Sequence, residues 1–306
     1  MTQRFKKTRL APTPSGYLHI GNVISFLITC SLARHHGAKV LLRIDDLDSD
    51  RVRPEYLQDI FDTLEFLEIP YDEGPRSQAE LKHHFSQGLR MDLYKNVLEI
   101  LREKNLVFAC ECSRKKIRQH HPKGWYNGAC INRGLSLNGA NTCWRLYTGH
   151  SLPRQIKQYP DSIKSCHLPE AMNHFIVRKK DGDPAYQLSS LADDIHFGVD
   201  LIVRGEDLWE STCAQIYLSA CLETNPLSKV TFFHHPLVTA GKQKLSKSSG
   251  ALAIKTMRQN GWSKADIYRL AGKELRLKTP VHSLADFEAA FITDAATGLF
   301  NRHSPE

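Results

Sequence analysis

Hydrophobic and polar positions alternate along the first seventy residues in a strand–helix rhythm. TRLAP (8–12) is a short apolar run that prolines stop. NVISFLITCSLARHHG (22–37) repeats its apolar residues at helical spacing and ends on glycine, which predicts a helix with a Gly stop. KVLLRIDD (39–46) is a near-continuous apolar strand ending in acid. PEYLQDIFDTLEFLEI (54–69) opens with Pro in its first turn and continues as an amphipathic helix. This order predicts an α/β fold, a Rossmann-like doubly wound parallel sheet whose ligands sit at the carboxyl ends of the strands. HIGN (19–22) and the acids of RIDD (43–46) both fall there.

After the helical pattern DLYKNVLEILREKN (92–105) the character changes. From Cys110 to about Cys166 the chain is rich in Cys, His, Gly and basic residues and shows little periodicity, so an inserted subdomain is expected. HFIVRKKDGDPAYQLSSL (174–191) reads as a hairpin, two β-like runs around an Asp-Gly turn. DLIVRGEDL (200–208) reads as strand and loop, and STCAQIYLSACLE (211–223) as a helix. Beyond Gly250, IKTMRQNGW, KADIYRLAGKEL and LADFEAAFI are helical segments. The expected division is a first catalytic half (1–105), the insertion (106–168), a second catalytic half (169–250) and a short helical C-terminal region (251–306). No role is assigned to AELKHHFSQGLR (79–90).

Composition narrows the class. With 306 residues, 41% hydrophobic and 24% charged, the chain is globular, not disordered. Its net charge of +8 fits nucleic acid or a phosphorylated ligand as partner. No apolar run approaches the roughly 20 residues of a membrane span. The basic start MTQRFKKTR and the apolar VISFLITC are separated by PTPSGYLHIGN, which argues against a signal peptide. Eight scattered cysteines do not form a secreted disulfide framework. A cytoplasmic protein with reduced thiols, no membrane partner and a monomeric state is expected.

A His-x-Gly at a helix start turns backbone N–H groups and a positive dipole end toward an anion. KLSKS (244–248) offers two more cations. Each stretch alone says little; together they can face one nucleotide from the two halves of the chain.

RLAPTPSGYLHIGN, RIDDLDSDR and KLSKS, with RGEDLWESTCAQIYL between the last two, resemble the signature of class I aminoacyl-tRNA synthetases of the glutamyl/glutaminyl branch. The resemblance covers most of residues 8–250 and implies an enzyme that activates glutamate with ATP as an adenylate. That reaction is an in-line attack on the α-phosphate and needs positioning and charge neutralisation. By resemblance His19 and Lys247 are catalytic and hold the phosphates. Gly21 and Lys244 join them at ATP, and magnesium arrives with the nucleotide. Arg9, Ala11, Thr13, Asp45, Tyr186 and Arg204 surround the glutamate. Arginine forks suit its carboxylates, and Asp45 suits its ammonium. Tyr186 could equally be a core aromatic. Glutamyl enzymes more often have Glu at Asp45 and glutaminyl ones Asp, so Asp45 leaves glutamate and glutamine both open. Ser is usual at Thr13 and Met at Leu245, while the fourth place of the HIGH motif, here Asn22, often lacks His in the glutamate branch.

Cys110, Cys112 and Cys130 have the chemistry of a tetrahedral zinc site. The residues alone favour His120 or His121 as the fourth ligand, whereas the family pattern Cys-x-Cys…Tyr-x-Gly-x-Cys points to Tyr126. The zinc is then structural. Cys143 and Cys166 have no partner pattern. The basic clusters RFKKTR and SRKKIRQ suit tRNA phosphates or a solvated face equally.

Only 306 − 248 = 58 residues follow KLSKS, too few for an anticodon-binding module. The expectation is therefore a short glutamyl-queuosine type of enzyme, with tRNA(Asp) as its partner. A truncated synthetase charging an ordinary acceptor end, a small-molecule nucleotidyltransferase and a non-catalytic RNA-binding paralogue are the alternatives.

Overall fold

Gly37 ends the first helix and Pro54 opens the second where the pattern predicts them. The computed structural model describes residues 5–149, 152–237, 239–240, 243–244 and 253–296. In chain order these form β1 (Lys7–Leu10), α1 (Ile20–His36), β2 (Lys39–Leu42), α2 (Pro54–Phe66), a single turn α3 (Gln78–Glu80), α4 (Met91–Glu103), β3 (Val107–Cys110) and α5 (Arg114–His120). Next come β4 (Cys143–Leu146), β5 (Arg154–Gln158), β6 (Ser162–Cys166), β7 (Ile176–Arg178), α6 (Tyr186–His196), β8 (Leu201–Gly205) and α7 (Trp209–Cys221). The last are β9 (Thr231–His235), β10 (Thr239–Ala240), β11 (Gln243–Lys244), α8 (Ile254–Gln259), α9 (Lys264–Glu274) and α10 (Leu284–Ala296).

The chain divides into two units. The first comprises 1–89, 199–207 and 233–306; the second comprises 90–198 and 208–232. In the first, β1 and β2 pair in parallel, Lys7 opposite Lys39 and Leu10 opposite Leu42, joined by the α1 crossover. Helix α1 is buried along most of its length, which explains its run of apolar residues, and packs against β1, β2, β8, α9 and α10. It ends at Gly37, whose φ of 66° is the left-handed C-cap position that glycine occupies without a Cβ penalty.

In the second unit β3, β4 and β7 form an antiparallel sheet. Strand β5 pairs antiparallel with β6 and parallel with the first residues of β9. Regular strands thus occupy part of the stretch expected to lack periodicity. Helix α6 packs against both α4 and α7, and where it meets α4, Arg90 and Tyr94 both donate to the Asp193 carboxylate at 2.7–3.0 Å.

The hairpin expected over 174–191 forms only in short form, with Lys179 N–H donating to the Asp183 carbonyl at 2.7 Å and Ala185 N–H to the Val177 carbonyl at 2.9 Å across the turn. Only β7 is a strand; after the Asp-Gly turn a lone bridge joins Arg178 to Pro184, and helix α6 begins at Tyr186. The second run is cut short because the Leu/Ala-containing segment that follows it folds as a helix and buries Leu188 through Asp194. The expectation of reduced thiols also fails at one place. Cys166 at the end of β6 and Cys213 in α7 are joined by a disulfide, with Cα atoms 6.1 Å apart. No helix among the described residues is long and apolar enough to cross a membrane.

Candidate functional site

The parallel ladder of β1 and β2 runs on past its last regular pair. Arg43 N–H donates to the Leu10 carbonyl at 2.8 Å and Asp45 N–H to the Pro12 carbonyl at 3.0 Å. Asp45 is thereby carried to the carboxyl end of the strands, beside the loop holding Ala11 and Thr13. Its carboxylate is gripped by Arg43, with Nε–Oδ1 2.8 Å and Nη2–Oδ2 3.1 Å, both side chains being buried. This bidentate grip fixes the carboxylate's orientation. Arg9 leaves β1 in the other direction and donates from Nη1 to the Val203 carbonyl in β8 at 3.2 Å, next to Arg204. Arg9 and Arg204 are 5% and 3% exposed, so with Arg43 this region holds three buried guanidinium groups. Thr13 is exposed, and its carbonyl accepts from Ser15 N–H at 2.8 Å.

His19 is the N-cap of α1. Its Nδ1 accepts from Gly21 N–H at 3.1 Å, while the Asn22 side chain accepts from His19 N–H at 3.1 Å. This reciprocal capping box gives a structural reason for Asn22 at the fourth place of the motif. A Cβ on Gly21 would lie 3.0 Å from His19 Cε1 and Nδ1, so glycine leaves room for the folded-back imidazole.

The chain at the start of α8 meets this turn. His19 forms an isolated antiparallel bridge with Ala253, and Ile254 N–H donates to the Leu18 carbonyl at 2.8 Å. Ala253 lies six residues after Lys247 in the chain. The backbone of Lys244 ends the two-stranded β10–β11 hairpin. Lys247 lies outside the described residues.

In the other unit Tyr186 occupies the first turn of α6 and is 43% exposed, which removes the core-aromatic alternative. Beside it, Gln187 Nε2 donates to Ser211 Oγ at 3.1 Å. The stretch 79–90, without a role in the sequence, clasps the RIDDL loop of its own unit. Gln87 N–H donates to Asp46 at 2.7 Å, and Leu47 N–H to Gln87 Oε1 at 3.0 Å.

In the second unit the Sγ atoms of Cys110, Cys112 and Cys130 lie within 4.8 Å of one another and are buried. Tyr126 Oη accepts from Cys130 N–H at 2.9 Å, so the phenol sits in the same cluster. Neither His120 nor His121 joins the three thiols; His121 stacks instead on Trp125. Cys143, directly opposite Cys110 across β3 and β4, donates its thiol to the Cys110 carbonyl at 3.2 Å. The Cys143 thiol and then Arg145 hold the Cys110 thiol down at about 3, against the effect of burial. Burial first, then the neighbouring Cys130, pushes Cys112 up to about 12. Arg145 lies over the Tyr126 ring, 3.8 Å from its centroid. Three sulfur donors this close, with an oxygen donor beside them, fit a tetrahedral zinc ion that would tie β3 to the 126–130 loop.

Helix-capped imidazole, buried arginines and a thiol cluster together define an α/β enzyme built to handle charged groups, and comparison with known proteins specifies which. Residues 6–286 match the model of tRNA synthetases class I (E and Q), catalytic domain. The chain belongs to this family and is a ligase of the aminoacyl-tRNA synthetase type. It is 33% identical to the glutamyl-Q tRNA(Asp) synthetase of Nitratidesulfovibrio vulgaris, over 85% of this chain and 83% of that protein. To the glutamyl-Q tRNA(Asp) synthetase of Neisseria meningitidis it is 36% identical, over 80% and 81% respectively. To the glutamate–tRNA ligase 2 of Syntrophus aciditrophicus it is 30% identical over 95% of this chain and 62% of that one. The solved glutamate-tRNA synthetase of Elizabethkingia anophelis shares the fold, with TM-score 0.73 at 19% identity, over 93% of this chain and 65% of that chain.

Proposed function

We propose that this protein uses ATP to activate glutamate as glutamyl-adenylate without tRNA, then transfers the glutamyl group to queuosine at the wobble position of tRNA(Asp). The observation that carries the activation step is the bridge from His19 to Ala253, which draws the HIGN turn and the chain after KLSKS together. The carboxylate oxygen of glutamate attacks the α-phosphorus of ATP, the bond to the bridging oxygen breaks, and pyrophosphate leaves. His19 and Lys247 neutralise the charge that builds on the phosphate oxygens, with Gly21 and Lys244 beside them and magnesium accompanying the nucleotide. Arg9 and Arg204 take the carboxylates, Thr13 and Tyr186 add hydroxyl donors, Ala11 lines the site, and Asp45, oriented by Arg43, takes the ammonium.

We read the β1–α1–β2 crossover as the start of a Rossmann-like doubly wound domain divided at 105, 168 and 250 into two catalytic halves, an insertion and a helical end. Cys110, Cys112, Cys130 and Tyr126 hold a structural zinc in the insertion. The protein works as a monomer in the cytoplasm. The names of relatives similar over most of their length support tRNA(Asp) as the acceptor. The similarity to a glutamate–tRNA ligase keeps an ordinary acceptor end as the second reading.

Amino-acid-dependent exchange of pyrophosphate into ATP separates the two. Exchange with glutamate and no tRNA, absent with glutamine and aspartate and lost in Lys247→Ala, is the expected result. Exchange that needs tRNA would give the acceptor-end reading, and none under any condition would sink the activation chemistry.

A further inference from the structure

Asp59 sits inside α2, 2% exposed, where an amphipathic helix ordinarily presents an apolar residue to the core. A buried carboxylate is costly unless it is paired and hydrogen-bonded. Asp59 is satisfied from two sides. Its Oδ2 accepts from Leu18 N–H at 3.0 Å, and its Oδ1 pairs with Arg258 Nη2 of α8 at 2.9 Å. On the opposite side of the same peptide segment, the Leu18 carbonyl accepts from Ile254 N–H at the start of α8, and the next residue, His19, bridges Ala253. Leu18 is therefore held at its N–H by the acid and at its carbonyl by the helix that the same acid anchors. These contacts close a ring through α2, the His19 turn and α8, all within the first unit. A merely space-filling residue at 59 would leave Leu18 N–H and Arg258 without this partner.

We propose that Asp59 is a positioning residue that locks the His19 turn to α8, so that the imidazole turn is held in one fixed register against the helix that follows KLSKS in the chain. This rests on the proposed activation reaction. Asp59 touches no reacting atom in this scheme; it acts through Leu18 and Arg258. Without the lock, the turn keeps its own capping box but loses its registration with α8, which the in-line geometry at the α-phosphate requires.

Asp59→Asn keeps the volume and an oxygen for Leu18 N–H while removing the charge facing Arg258. Arg258→Met breaks the same contact from the partly exposed side and guards against a buried change that prevents folding. In glutamate-dependent pyrophosphate exchange each variant is expected to lower kcat on the order of tenfold, the loss of one charge-assisted hydrogen bond. KM for glutamate is expected to stay within about twofold, since the arginine pair is untouched. The double variant is expected to be no worse than the poorer single one, because both remove one interaction. Amide hydrogen exchange is expected to quicken together at 18–21 and at 253–258. Wild-type kcat in both variants, additive losses in the double variant, or faster exchange confined to α2 would overturn the proposal. Should the wild-type protein show no glutamate-dependent turnover, the activation reading fails, and the hydrogen-exchange comparison still decides whether Asp59 couples the two segments.

Discussion

At the scale of single residues, Gly21 separates stability from activity. It lies in the first turn of α1, where Ala is favoured over Gly by about 1 kcal/mol in helix propensity. A Cβ there would press on the His19 imidazole at 3.0 Å, and the ring would have to give by a few tenths of an ångström. Gly21→Ala is therefore expected to leave the thermal midpoint unchanged or slightly raised while pyrophosphate exchange falls several-fold. A variant with full exchange activity would show that the packed position of the imidazole is immaterial to the reaction. His19 and Gly21 were legible because they form a spaced motif. Asn22 reads in the sequence as a mere departure from that motif, and its role as half of a capping box needs the backbone to be seen. Asp59 carries no sequence signal at all: one acid in PEYLQDIFD looks like a solvated face until the fold buries it.

Among elements, the thiol cluster shows what the β3–β4 pairing adds to a motif. The family resemblance names CEC and YNGAC as the candidate ligands, and pairing across the strands places Cys143 against Cys110 as a further donor that the sequence leaves without a partner. Cys130→Ser is expected to abolish metal retention after dialysis against a mild chelator. Tyr126→Phe is expected to speed metal loss several-fold, and alanines at His120 and His121 to change nothing. Retention in Tyr126→Phe equal to wild type would remove the phenol from the ligand set. The same residues explain where the sequence reading of elements stopped. The first two strands, α1 and α2 follow directly from periodicity, because long buried or amphipathic segments overwrite weak local preferences. In the 174–191 segment the Asp-Gly turn and the pairing beside it follow the sequence, whereas the helix-forming run from Tyr186 shortens the second strand to the residues next to the turn.

At the scale of the whole molecule, the disulfide between Cys166 and Cys213 is the one covalent tie across the chain, spanning 47 residues. It fastens the β5–β6 hairpin, whose outer strand β6 has β5 as its only strand partner among the described residues, onto α7. Lys164 Nζ lies over the Trp209 ring, 4.5 Å from its centroid, and repeats the same attachment without a bond. In the chain-entropy description a closed loop of this length disfavours the unfolded chain by roughly 4 kcal/mol, a large share of the stability of an ordinary domain. Protein purified and denatured without reductant is therefore expected to titrate with six free thiols, matching Cys30, Cys110, Cys112, Cys130, Cys143 and Cys221. Reductant, or Cys166→Ser, is expected to lower the thermal midpoint by several degrees and to expose 154–166 to proteolysis before α7. Eight free thiols in the untreated protein would mean that the hairpin is held by packing and the Lys164–Trp209 contact alone. Because disulfides rarely persist in a reducing compartment, the cross-link would then be a property of the oxidised protein, and stability measured with and without reductant would describe two covalent forms of one fold.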